Sequence, residues 1–133
     1  MKRPIALASA AAALLLTLTA CSNAATSPEA AITASPVSGA GTMPRPAGTV
    51  INVSITGTSA TSDKSTVTVG LNQPVSLIIT AAAAGELHVH STPEKHIEYA
   101  KGTSVVTLKF DLPGTVVIED HALDQQVTQI QVN

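Results

Sequence analysis

Between residues 49 and 133 the chain alternates apolar and polar positions with a period of two. Ile51, Val53 and Ile55 are interleaved with Asn52, Ser54 and Thr56, and Gly57 follows. That spacing sends the aliphatic side chains to one face of a strand. Val67 and Val69 alternate with threonines and lead into Gly70, and Pro74 opens a third run, Val75 to Thr80. Glu86 to Ser91 reads as a fourth strand, and Ile97 with Tyr99 as a fifth, before a turn at Lys101-Gly102. Val106, Leu108 and Phe110 form the next, stopped by Pro113-Gly114; Val116 with Ile118, and Ile130 with Val132, complete the set. About eight short strands divided by turn residues, with no sustained 3.6-residue period, predict an all-β sandwich or barrel of about 7–8 strands.

The first 48 residues follow other rules. Lys2 and Arg3 precede an apolar, alanine- and leucine-rich stretch from Ile5 to Thr19, the layout of a secretory signal rather than of a membrane span. Leu18-Thr19-Ala20-Cys21 resembles the lipobox of bacterial lipoproteins. The resemblance implies a signal peptide over residues 1–20. It also implies diacylglycerol on the Cys21 thiol, and a further acyl chain (palmitate or similar) on the new amine. Two acyl chains hold a protein stably on a bilayer, so the expected location is the extracytoplasmic face of the cell membrane. Cys21 is the single cysteine, which excludes an internal disulfide. Residues 22–48 are mostly Ala, Ser, Thr, Pro and Gly, too poor in apolar bulk to offset the entropy of ordering. Residues 21–48 therefore read as a lipidated cysteine and flexible tether, with one helical turn running from Ser27-Pro28-Glu29 into Ala30 and Ala31. Residues 49–133 read as the folded domain.

Composition narrows the function. Tyr99 and Phe110 are the only aromatic residues, so the core rests on branched aliphatics and there are no stacking platforms for bases. Losing Lys2 and Arg3 with the signal takes seven basic side chains to five, against nine acidic ones, a net of −4. No nucleic-acid partner is expected of such a surface. No phosphate loop, dinucleotide fingerprint, HExxH, CxxC or GxSxG occurs, and no serine or threonine sits in an activating setting. An enzyme is not expected.

The chemistry concentrates in ELHVHSTPEKH, residues 86–96, which holds three of the four histidines. On a strand, His88 and His90 share one face and Leu87 and Val89 the other. Two imidazoles so placed can reach one copper or zinc ion. The competing reading makes them solvated residues on an outer strand face. His96, after Pro93-Glu94-Lys95, reads as a loop histidine, and His121 beside Asp120 as a surface hydrogen-bonding group. Histidine protonation as an acid sensor is a third reading that nothing singles out.

A family resemblance covers residues 49–133. The Val-rich first strand, GLNQPVSLIIT, ELHVHSTPEKHIEYAKGTSVVTLKF and GTVVIEDHALDQQVTQIQV resemble the cupredoxin-like domains of bacterial envelope lipoproteins. The resemblance implies a Greek-key β-sandwich. It further implies a metal site of His88, His90 and His121, formed where the histidine strand and the last inter-strand loop meet at one pole. Glu86 or Glu119 would add an oxygen. A blue-copper centre needs a Cys thiolate and usually a weak Met, and the loop from Glu119 to Gln126 has neither. The expected cofactor is therefore copper or zinc on nitrogen-rich ligands, outside electron transfer. The alternative is a metal-free interaction or structural module of the cell envelope, with scattered histidines and an apolar patch or open sheet edge.

Overall fold

In a computed structural model the chain is described over residues 30–36 and 44–133. The expected signal peptide, Cys21 and the expected turn at Ser27-Pro28-Glu29 lie outside the described residues. Eleven strands are described: β1 (Ala30–Thr33), β2 (Ser35–Pro36), β3 (Thr49–Ile55), β4 (Ala60–Ser62), β5 (Thr66–Val69), β6 (Val75–Ala81), β7 (Gly85–His90), β8 (Lys95–Tyr99), β9 (Gly102–Leu108), β10 (Gly114–Asp120) and β11 (Gln125–Val132). They form two facing sheets, ordered β1-β8-β7-β10-β11-β5 and β2-β9-β6-β3-β4. The all-β, Greek-key sandwich is as expected. All eight predicted strands are present, and the three additional ones, β1, β2 and β4, are four residues or shorter.

The period-two pattern builds the core directly. Ile51, Leu77, Ile79, Leu87, Val89, Ile97, Ile118 and Ile130 are completely buried between the sheets. Phe110 falls just past the end of β9 but still packs inside. Buried hydroxyls are satisfied, as they must be away from water. Ser76 Oγ donates to the Ala47 carbonyl at 2.9 Å, and Thr128 Oγ1 donates to the Lys64 carbonyl at 2.7 Å.

The expected tether differs from what is seen at residues 30–36. Strand β1 runs parallel to β8 from Ala30↔Lys95 to Thr33↔Glu98, and β2 pairs antiparallel with β9. The chain crosses from one sheet to the other at Ala34, which is 1% exposed and donates its N–H to the Glu98 carbonyl at 2.8 Å. Ala30 and Ala31 are therefore strand, not helical turn. Low apolar content does not forbid order here, because the edges of β8 and β9 supply a ready ladder. The opposite side closes in the same way: β4 borders one sheet, β5 the other, and Ser62 Oγ bridges to the carbonyls of Lys64 and Val127.

Candidate metal centre

Strands β7, β8 and β10 lie side by side, and their registers align the polar residues of the outer sheet face. His88 sits opposite His96 of β8 and opposite Glu119 of β10, while His90 sits opposite Val117. Leu87, Val89, Ile97 and Ile118 point the other way, into the core. The split of Glu86, His88 and His90 from Leu87 and Val89 is the one that the alternation predicts. The cluster is on this outer face rather than at a pole. Because β7 and β10 are antiparallel, the turn after Asp120 lies beside the start of the histidine strand, and His121 reaches back along the sheet.

The four histidines are gathered, not scattered. One ring nitrogen each from His88, His90 and His121 lies within 4.8 Å of the other two. His88 Nδ1 is 2.9 Å from His121 Nε2, with the rings nearly perpendicular at 75°. His90 Nε2 is 2.9 Å from Glu119 Oε2, which is also 3.6 Å from His121 Nε2. The Glu119 carboxyl is held below its ordinary range, chiefly by the hydrogen bond from His90 and, against some desolvation, by the nearby charge of His90, His121 and His88. His88 is the most enclosed of the three and His121 the most exposed. A carboxylate of lowered basicity beside three imidazoles is a donor set that suits Cu(II) or Zn(II).

Of the two candidate carboxylates, Glu119 joins the three histidines, whereas Glu86 pairs with His96 Nδ1 at 2.7 Å. His96 is not a loop residue. It lies on β8 and stacks on His88, with centroids 4.4 Å apart and an interplanar angle of 24°. Its position could have been found from the sequence, since Ile97 and Tyr99 turn inward and an adjacent residue must turn outward. Glu94 was not anticipated at all. Its Oε2 lies 3.3 Å from His88 Nε2 and its Oε1 lies 3.9 Å from His90 Nδ1. It sits in the short β7–β8 turn, where no periodicity announces where a side chain points.

The turn carrying His121 is fixed from below. Asp120, 1% exposed, accepts from the Tyr99 hydroxyl at 3.2 Å and from the Leu123 N–H at 3.1 Å. Tyr99 comes within reach because residue 85 is glycine: a Cβ there would collide with the Tyr99 hydroxyl. Asp124 closes the turn with a φ of 52°, a left-handed conformation that Asp tolerates better than most residues. A bulge between Ile118 and Glu119 in the pairing with β11 adds the local twist that often accompanies functional sheet faces.

No family model and no curated protein matches the chain. Among solved structures, it is similar to the Cu(I) form of an amicyanin mutant, with a TM-score of 0.52 and 14% identity over 68% of this chain and 87% of that one. The oxidized state of another amicyanin mutant gives 0.50 and 15% identity, over 65% and 83%. A multicopper oxidase gives 0.51 and 14% identity, over 66% of this chain and 45% of that one. The chain thus spans under half the length of that oxidase. At such identities the likeness shows the fold, which is cupredoxin-like.

Proposed function

We propose that the protein is a lipid-anchored lipoprotein of the extracytoplasmic membrane face whose cupredoxin-like domain binds copper or zinc through His88, His90 and His121. Glu119 supplies an oxygen. The observation that carries this reading is the convergence of three ring nitrogens, from two strands and a remote turn, within 4.8 Å. Residues 44–133 contain neither Cys nor Met, so the donors are nitrogen and oxygen. That set is unsuited to a blue-copper electron carrier. A bound ion would be held and passed on rather than used as a redox relay, and no catalytic role is assigned. The location rests on the lipobox at Leu18–Cys21, and the acidic balance speaks against nucleic acid as a partner. The metal-free alternative calls for scattered histidines, and the gathered ones weigh against it.

Metal that binds the folded state alone stabilises it by mass action. Cu(II) added to the intact protein at neutral pH should raise its Tm, with reversal by a chelator. His121→Ala should remove most of that gain, although His121 is remote in sequence from the other two. A Tm unmoved by Cu(II) and Zn(II), or a gain that survives His121→Ala, would sink the proposal.

A further inference from the structure

His88 is a largely enclosed ring with both nitrogens engaged: Nδ1 faces His121 Nε2 at 2.9 Å, and Nε2 faces Glu94 Oε2 at 3.3 Å. An ionised carboxylate has no proton to give, so it can only accept. Whichever ring nitrogen meets it must carry the hydrogen. Glu94 therefore places the single proton of neutral His88 on Nε2 and leaves the lone pair of Nδ1 bare. That lone pair accepts in turn from His121 Nε2–H, which fixes the second ring. Without Glu94, the remaining hydrogen-bond partner of His88 is His121, an imidazole nitrogen that can donate or accept.

We propose that Glu94 is the positioning residue of the cluster, holding His88 in the tautomer that leaves its Nδ1 lone pair facing His121. The carboxylate reaches both strand histidines, since its other oxygen lies 3.9 Å from His90 Nδ1, on the ring edge away from Glu119. It thus backs the two rings from the edges away from His121 and Glu119. A metal-ligating imidazole needs its free nitrogen oriented and its other nitrogen hydrogen-bonded, and outer carboxylates commonly do this. The inference rests on the metal reading only for its consequence for affinity; the tautomer assignment stands on the metal-free geometry.

The test separates the two. Nitrogen-15 NMR of the ring nitrogens in the metal-free full chain, at a pH where the imidazoles are neutral, should show His88 wholly as the Nε2–H form. Glu94→Ala should give a mixture of the two forms and weaken Cu(II) binding about 10- to 100-fold. Glu94→Gln, whose amide oxygen can accept the same proton, should restore the Nε2–H form and most of the affinity. A His88 that carries its proton on Nδ1, or whose tautomer is unmoved by Glu94→Ala, would overturn the assignment even if the parent takes up Cu(II). A Glu94-dependent tautomer in a parent that takes up no Cu(II) would support the assignment and overturn the metal reading instead.

Discussion

At the residue scale, the site depends on groups that never face the convergence point. Tyr99 is the clearest. Its hydroxyl pKa is pushed up to about 12 from 10.0, first by burial, then by the charge of Asp120 and the hydrogen bond to it. Since the folded-state value is raised, the contribution of the protonated hydroxyl is fully present below pH 10. It is lost as pH rises toward 12, because the unfolded chain ionises first. Tyr99→Phe should cost about 2 kcal/mol near neutral pH, the order expected when a buried carboxylate loses a donor, and should flatten the alkaline limb of the stability curve. Thermal unfolding of parent and variant from pH 8 to 12 checks both. Parallel curves across that range would show that the hydroxyl does not titrate as described. Asp120 would also lose part of its hold on the turn, so the variant should blunt the Cu(II)-induced gain in Tm as well.

At the element scale, the segment Ala30–Pro36 is the least expected part of the fold and the easiest to remove. Deleting residues 24–36 strips β1 from β8 and β2 from β9, and exposes the core beneath Ile32 and Ala34. The loss should be about 2 kcal/mol, the burial of one aliphatic side chain, and about 10 °C in Tm for a domain of this size. A deletion variant that melts with the parent would show the two strands to be passive. The contrast with the other strands explains what could be read beforehand. In β3, β6 and β7 an apolar face repeats every second residue, so the sequence itself dictates which side is buried. In Ala30–Pro36 the alternation is present but faint, with Ile32 and Ala34 turned inward between exposed Ala31, Thr33 and Ser35 and only Ile32 large. Strand geometry there comes mainly from the neighbours it pairs with, a tertiary effect that local pattern does not carry. The same division runs through the site. His88 and His90 were legible from alternation and His121 from the family likeness. Glu94 was not, because its reach depends on the path of a turn.

At the scale of the whole molecule, the histidine face gathers Glu86, Glu94, Glu98 and Glu119 around four imidazoles, with Glu86 and Glu98 directly opposite each other. Like charges so placed repel, and the face as a whole favours cations. On the proposed anchor, where that face is held depends on Cys21. Cys21→Ser should leave the protein in the soluble fraction or with its signal uncut, because lipidation needs the thiol; fractionation and migration identical to the parent would show the anchor proposal to be wrong. With β1 entering the sheet at Ala30, only residues 22–29 separate the domain from that cysteine, a covalent reach of about 30 Å at most.

The crossing of the chain from sheet to sheet on both sides has a consequence for self-association. Among the described residues, the outermost strands are β1 and β5 with four residues each, β4 with three and β2 with two, and β2 ends in Pro36. A long, flat edge is a template on which a second chain can add a strand, and very short edges with proline are how β proteins deny it. Crowded together, as the proposed anchor would have them, copies of this domain would meet through faces and charges, while the hydrogen-bonding rims of their sheets stay too brief to seed a fibre.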